Sequence, residues 1–191
     1  MLHMHISDAA DFDALHAELR RYAERWPDEA ATATQFGALL DDAADPFVRG
    51  RLAGHFTASA WLVSRCGHRV LMTHHRKLQR WLQLGGHADG DRDLAQVALR
   101  EAQEESGLPD LTVEPELFDL DRHWIPERDE VPGHWHYDAR YVVRAGDDER
   151  YTVSDESLAL AWVDIETLLA DPASDASLRR MALKWRAGCP R

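Results

Sequence analysis

This 191-residue sequence has few cysteines, no long apolar stretch and no excess of positive charge. Its two cysteines, Cys66 and Cys189, are too few for a disulfide framework or a cysteine-rich zinc site, which predicts a reducing compartment. No stretch approaches the roughly 20 apolar residues of a membrane-spanning helix, and the first residues lack the basic and apolar run of a signal peptide. We therefore expect a cytoplasmic protein without a membrane partner.

The charge balance restricts the partners further. Asp and Glu total 34 against 22 Lys and Arg, a formal net charge of −12 with histidine neutral. Such a charge disfavours binding to the backbone of a nucleic acid polymer, except through a bound metal. Apolar residues at 45% and charged residues at 29% are typical of an ordinary globular chain, and the length predicts one full domain with a small appendage.

The appendage is a helical extension over residues 1–50, followed by the main domain over residues 51–191. Apolar residues of its first helix recur at three- and four-residue steps, which places them on one face: Phe12, Leu15, Leu19, Tyr22 and Trp26. A second helix is predicted over 28–42. We expect both helices to pack on the main domain, and their outer surface is a candidate homodimer interface.

The main domain alternates between strand and helix patterns. Strands are predicted over 56–64, 69–74, 80–84, 111–120, 134–144 and 160–163, and helices over 93–107, 165–170 and 174–187. In the segment 134–144, Trp135 and Tyr137 alternate with His134 and His136, which predicts one buried and one polar face. The order of elements predicts an α+β fold, an α/β/α sandwich with a mixed β-sheet flanked by helices.

One helix carries most of the candidate chemistry. Asp93 can cap its amino end, with Gln96 three residues on, and Gly107 can close its carboxyl end. At 100° per residue its last turns bring three carboxylates together, those of Glu101, Glu104 and Glu105. Like charges at this spacing destabilise a helix by a few tenths of a kcal/mol per pair, so they need solvent or a cation. For three glutamates alone, a solvated acidic face is the simpler explanation.

The residues around these glutamates resemble the Nudix box, G-x5-E-x7-R-E-U-x-E-E-x-G-U, where U is aliphatic. Gly86 stands at the first position, and Arg100 to Leu108 fill the last nine. The resemblance covers roughly residues 54–169 and leaves the amino-terminal helices outside. It implies hydrolysis of a diphosphate linkage in a nucleoside diphosphate joined to another group, a small-molecule substrate, with Mg²⁺ or Mn²⁺ as cofactor.

The resemblance also implies roles for individual residues. Glu101, Glu104 and Glu105 would hold the metal, together with the backbone of Gly85, since glycine lets the chain approach closely. Arg100 would orient the carboxylates rather than touch the substrate. The general base stays open among five carboxylates: Glu104, Glu105, Glu127, Glu130 and Glu156.

One position departs from the box, because Arg92 stands where the family has its first glutamate. A cation cannot accept the hydrogen bonds that a carboxylate there would take from Arg100. Asp93 lies about 20° from Arg100 on the helical wheel and is the expected substitute partner. Asp89 and Asp91 are the alternatives.

Further residues are candidates for substrate binding. A basic island precedes the box, formed by His74, His75, Arg76 and Lys77, and suits either phosphate binding or a charged hairpin tip. His87, His136 and Trp135 are expected to line the substrate cleft, within reach of a specificity loop over 124–135. The histidines, with His134 and Asp138 on the same strand, are less readily explained as transition-metal ligands.

Two other functions stay open from the sequence. The chain resembles a hydrolase, but a catalytically silent Nudix module that binds a nucleotide would share most of the box, and Arg92 mildly favours it. An isopentenyl-diphosphate isomerase shares the family fold and binds its metal through histidines. It would be expected to use a cysteine in the cleft, and neither Cys66 nor Cys189 is well placed for that.

Overall fold

A computed structural model describes residues 6–128, 130–155 and 157–188, with side chains from Asp11 onward. The helices are α1 (Ile6–Arg25), α2 (Ala30–Leu40), α3 (Leu94–Ser106), α4 (Ile165–Ala170) and α5 (Ala176–Gly188). The strands are β1 (His55–Val63), β2 (Arg69–His75), β3 (Arg80–Leu82), β4 (Leu84–His87), β5 (Thr112–Ile125), β6 (His134–Arg144) and β7 (Ser157–Asp164). This is the predicted α+β arrangement.

The strands form one mixed sheet in the order β3-β2-β1-β6-β5, with β4 also pairing with β1 and β7 with β2. β1 and β6 run parallel, and their register places His55 opposite His136 and Val63 opposite Arg144. The remaining pairs are antiparallel. Because the parallel pair lies near the middle of the sheet, residues far apart in the sequence share one row.

Helices cover both faces of this sheet. One face packs Phe56 and Tyr137 against apolar residues of α1, α2 and α3. The opposite face packs Trp61 and Val142 against Met181 and its neighbours in α5. The result is the layered α/β/α arrangement that the order of elements predicted.

The polar face of β6 is buried as well, which the alternation of side chains did not indicate. Asp138 and Arg140 are 2% and 3% exposed. Arg140 Nε lies 2.8 Å from Asp138, and Arg140 Nη1 lies 3.0 Å from Asp119 on β5. Lys184 of α5 approaches Asp119 to 2.6 Å, so α5 covers this face with charge as well as with apolar groups. A polar stripe on a strand therefore marks buried ion pairs here.

The amino-terminal helices share the core of the main domain. Leu15 of α1 and Phe36 of α2 belong to the same buried cluster as Phe56 of β1. Tyr22 accepts a hydrogen bond from Lys184 Nζ at 2.7 Å, which joins α1 to α5. The expectation that the extension packs on the main domain is confirmed.

Several sequence-based boundaries were wrong. The strand predicted over 111–120 continues to Ile125, because its second half pairs with β6 as far as His134. The strand predicted over 80–84 is divided between β3 and β4, and Gly85 and Gly86, which follow that segment, lie inside β4 because both pair with β1. In the described part of the chain, no helix has both the length and the apolar character needed to cross a membrane.

Candidate active site

α3 begins and ends as its sequence predicts. The Asp93 carboxylate accepts a hydrogen bond from the Gln96 N–H at 3.1 Å, which caps the amino end. Gly107 follows the last turn with φ +64°, the left-handed conformation that glycine adopts at low cost. The apolar side of α3 packs on the sheet, and its glutamates lie at the edge of that contact.

The three predicted metal ligands differ in their surroundings. Glu105 is 8% exposed, and its Oε1 accepts a hydrogen bond from the Gly85 N–H at 2.8 Å. The Glu101 side chain is 19% exposed and lies against Gly86, where any Cβ would collide with its carboxylate. Glu104 is exposed. Glu101 and Glu105 therefore contact β4, whereas Glu104 faces solvent.

This group fits a hard divalent cation. Carboxylate oxygens are the ligands that Mg²⁺ and Mn²⁺ prefer, often completed by waters and substrate phosphates. Gly86 has no side chain between β4 and Glu101, so backbone and carboxylate approach each other closely. The chemistry of these side chains suits such an ion, and their joint binding of a metal stays a prediction.

Arg100 is braced by Asp91, and not by Asp93 as expected. Arg100 Nη1 lies 3.1 Å from Asp91 Oδ2, and Nη2 lies 3.6 Å from Glu101 Oε1. The Asp93 carboxylate is directed to the amino end of α3, where it serves as the cap. Arg100 thus links the loop before α3 to one of the predicted ligands, in agreement with an orienting role.

Arg92, the departure from the box, faces the amino-terminal extension. Its guanidinium carbon lies 5.2 Å from the centre of the Phe12 ring, and Nη2 lies 4.0 Å from Asp45. Cation–π contacts of this kind stabilise by about 0.5–1 kcal/mol at exposed sites. The box position that differs from the family pattern therefore contacts the part of the chain that the pattern does not include.

The basic island lies where β2 turns into β3. His74 packs its ring against Trp81 at 5.2 Å between centroids. Arg76 donates to the backbone carbonyls of Asp155 and Ser157 at 2.9 and 3.1 Å, so it is attached to the start of β7. Lys77 is exposed. A phosphate-binding role for these residues stays a prediction.

Trp135 lies beneath Arg122, whose guanidinium carbon is 3.6 Å from the centre of its ring. Trp124 meets the same ring edge-on at 5.3 Å and is 51% exposed. The connection is shorter than the predicted loop, because β5 extends to Ile125 and β6 begins at His134. The aromatic pair therefore stands on strands rather than on a loop.

The general base is not singled out by position. Glu127 and Glu130 are exposed in the connection between β5 and β6. Glu156 lies outside the described residues. Glu104 is exposed and Glu105 is buried on α3, so the choice among the five carboxylates stays open.

Histidines from separate strands meet at one end of the sheet. The rings of His55 and His136 lie 4.9 Å apart, those of His87 and His136 5.0 Å, and those of His55 and His87 5.2 Å. One ring nitrogen of each lies within 4.8 Å of the others. His134 and His123 adjoin the group at 5.0 and 5.5 Å from His136. Sequence reasoning missed His55, because only the parallel register of β1 and β6 brings it here.

Burial keeps these rings neutral. Desolvation, with the nearby His87 and His55, lowers the pKa of His136 to about 2. Desolvation, with the charge of Arg49, lowers the pKa of His87 to about 4. Burial likewise lowers the pKa of His55 below its ordinary value. At neutral pH each imidazole therefore carries a free lone pair on one nitrogen.

Comparison of this chain with known protein families identifies one family. The sequence model of the NUDIX domain matches residues 54–185. A comparison with curated proteins finds no significant match. Among solved structures, a NUDIX-family hydrolase from Clostridium perfringens is 26% identical, over 70% of this chain and 97% of that one, with a TM-score of 0.53.

Two more distant structures share the fold. A C. elegans Ap4A hydrolase, in a binary complex, is 18% identical over 69% of this chain and 95% of its own, with a TM-score of 0.53. The E. coli dihydroneopterin triphosphate pyrophosphohydrolase is 17% identical over 70% of this chain and 96% of its own, with a TM-score of 0.55. The family match spans more than half of the chain, from just before β1 into α5. The chain therefore belongs to the Nudix family and is an enzyme that acts on pyrophosphate bonds.

Proposed function

We propose that the enzyme hydrolyses the diphosphate linkage of a nucleoside diphosphate joined to another group, with Mg²⁺ or Mn²⁺ held by Glu101, Glu104 and Glu105. The observation that carries this proposal is the seating of α3 on β4. Gly85 donates to Glu105, and Gly86 leaves room for the Glu101 carboxylate. Two of the three acids are thereby fixed beside a stretch of backbone that a phosphate can approach.

Each acidic side chain has a distinct part in this mechanism. Glu101 and Glu105 are restrained by β4, so their orientation is set before substrate arrives. Arg100, between Asp91 and Glu101, limits the rotation of Glu101. When bound, the metal would neutralise phosphate oxygens and lower the pKa of an attacking water. Glu104 is exposed and is the member of the group that reaches a water most readily. We therefore assign it as the general base that takes the proton from the attacking water.

Substrate groups beyond the diphosphate would meet residues on neighbouring strands. Lys77 is exposed at the tip of the β2–β3 hairpin, with His74 and Arg76 beside it, and suits negatively charged phosphate oxygens. Trp135, flanked by Trp124, offers an aromatic surface for a planar base. The cytoplasmic location and a homodimer through the extension stay predictions.

The isomerase alternative gains little support. Cys66 is exposed in the turn after β1, with its Sγ 3.4 Å from Ser64 Oγ. Cys189 lies outside the described residues. The silent nucleotide-binding module differs from the proposed enzyme in activity alone, so an assay separates the two.

The test is a panel of nucleoside diphosphate sugars, dinucleoside polyphosphates, coenzyme A and oxidised nucleotides, assayed with Mg²⁺ and with Mn²⁺. We expect the parent chain to cleave at least one compound, with complete loss on chelation. Glu104→Gln should lower kcat by about 100- to 10,000-fold, the usual contribution of a general base. Gln103→Ala, at the neighbouring exposed position of α3, is the control and should retain activity. Equal, negligible release from parent and Glu104→Gln would contradict the proposed hydrolysis of these compounds.

A further inference from the structure

The histidine cluster is built by the register of four strands. His55 of β1 pairs directly with His136 of β6, and His123 of β5 pairs with His136 from the other side. His87 of β4 pairs with Thr57, two residues along β1 from His55. Residues at these positions project from one face of the sheet, because side chains alternate along a strand. The cluster is therefore a row of side chains set by the strand register, and not a contact between loops.

His55 has an unsatisfied nitrogen inside this cluster. The residue is 1% exposed, and its Nδ1 lies 3.3 Å from the Arg51 carbonyl oxygen, where an N–H would donate. Its Nε2 is buried and has no hydrogen-bond partner. An unpaired buried acceptor is costly, since the group has lost its hydration without a replacement. Histidines that bind metals commonly donate their other N–H to a backbone carbonyl in this way.

We infer that His55, His87 and His136 form a second metal site, for a borderline divalent ion such as Zn²⁺, separate from the carboxylates of α3. Three imidazole nitrogens within 4.8 Å of one another need only small side-chain rotations to reach the 2.0–2.1 Å of a zinc–nitrogen bond. An ion at this point gives the His55 Nε2 the partner that it lacks.

The chemistry of the ligands selects the ion. Imidazole suits Zn²⁺ and neighbouring transition metals, whereas Mg²⁺ takes oxygen ligands. Imidazole coordinates a metal through the lone pair of its unprotonated nitrogen. His134 Nε2 lies 3.1 Å from His136 Nε2, and His134 Nδ1 lies 2.8 Å from the Pro132 carbonyl oxygen. His134 would therefore serve as a fourth ligand or as a residue that orients His136.

The proposed site lies next to the catalytic glutamates along the chain but on the other face of the sheet. His87 directly follows Gly86, which faces Glu101 of α3. Because successive side chains of a strand point to opposite faces, His87 points away from α3. An ion bound here would fix β4 against β1 and β6. It would thereby hold the two glycines that contact Glu101 and Glu105.

The test uses the full chain, stripped of metal with a chelator and titrated with Co²⁺, whose visible absorption is intense only in tetrahedral coordination. We expect one tetrahedral Co²⁺ per chain, whose intense absorption is lost on addition of Zn²⁺ and kept in a large excess of Mg²⁺. His87→Asn and His136→Asn should each weaken binding by at least about 100-fold. Each removes a ligand, and loss of a residue that only orients a ligand already costs about 10- to 100-fold. His68→Asn, an exposed histidine in the turn after β1, is the matched control and should bind as the parent does.

Circular dichroism checks that the variants fold, and zinc-edge X-ray absorption of the parent tests the site without any variant. The expected spectrum has at least three imidazole nitrogens around zinc. A shell of oxygen alone, no stoichiometric binding by the parent, or unchanged binding in folded His87→Asn and His136→Asn would each overturn the inference. Loss of Co²⁺ binding in Glu104→Gln would place the ion at α3 and overturn it as well. None of these readouts needs a substrate, so they are independent of whether the proposed hydrolysis is correct.

Discussion

The glutamates of α3 and the histidines of the sheet are both groups of metal-binding side chains, but they are assembled in opposite ways. Glu101, Glu104 and Glu105 lie within five residues and are gathered by the period of one helix. His55 and His136 are brought together by a parallel strand pair that no local pattern predicts. The first group is therefore evident from the sequence, and the second becomes evident only from the register.

The same face of the sheet shows what a fully paired polar group looks like. Asp119 is completely buried and accepts hydrogen bonds from three cations, Arg140 at 3.0 Å, Arg180 at 2.7 Å and Lys184 at 2.6 Å. Every charge there has a partner, whereas the His55 Nε2 has none. We take this difference to mean that the ion network serves the fold and the histidines serve a ligand.

The largest effect should follow from breaking the ion network. Asp119→Ala leaves buried cations without their shared acceptor, and disruption of buried pairs typically costs about 3–5 kcal/mol. The free energy of unfolding, measured by urea denaturation, should fall by that amount. Glu166→Ala removes an exposed partner of Arg186 and serves as the control, with little change in the midpoint. A similar, small change in both variants would contradict a structural role for the network.

The seating of Glu101 against β4 is tested by Gly86→Ala. The added Cβ would collide with the Glu101 carboxylate, and a displacement of about 1 Å in a catalytic group can lower the rate about 100-fold. We expect kcat to fall by about that factor with little change in the melting temperature, because the end of a flexible side chain can move aside. Gly50→Ala is the control, since a Cβ at Gly50 meets nothing within 4 Å. Full activity in Gly86→Ala would show that the position of Glu101 is unimportant.

The bracing of Arg100 gives a smaller effect. Asp91→Asn removes the charge that holds the Arg100 guanidinium, and loss of such an outer partner typically lowers activity about 10-fold or more. The change should appear in kcat rather than in KM, since Arg100 orients a ligand and does not bind substrate in this account. A change confined to KM would instead place Arg100 in contact with the substrate.

The smallest effect is a dependence of stability on acid. Burial favours a raised pKa for Asp119, but hydrogen bonds from Arg180 and the charges of Arg140 and Lys184 outweigh it and hold the pKa below its ordinary value. A lowered pKa stabilises the fold above about pH 4, the ordinary Asp value, and this contribution is lost as the pH falls through the folded pKa. Between pH 5 and pH 3 the parent should therefore lose more stability than Asp119→Ala. Equal slopes for the two proteins would count against this reading.

Local signals in the sequence predicted the helix that carries the proposed catalytic site, and long-range packing explains what they missed. The Asp93 cap, the Gly107 turn and the three glutamates follow from neighbours along one helix. Asp91, one of the two alternatives to Asp93, is the partner of Arg100, whereas the Asp93 carboxylate caps the amino end of α3.

The errors on β6 have the same origin. The polar side chains of this strand are buried because α5, far along the chain, brings Lys184 over them. Whether an alternating strand has one solvated face depends on which helices cover it, and the strand itself carries no information on that. The position of His55 in the cluster likewise depends on which strand lies beside β1.

Anomalous diffraction at the manganese edge tests the central claim most directly, with crystals of the full chain soaked in Mn²⁺ and inorganic pyrophosphate. The account predicts a strong peak among the carboxylates of Glu101, Glu104 and Glu105. An absence of density at those carboxylates, with or without a peak at the histidines, would contradict the proposal that α3 holds the catalytic metal.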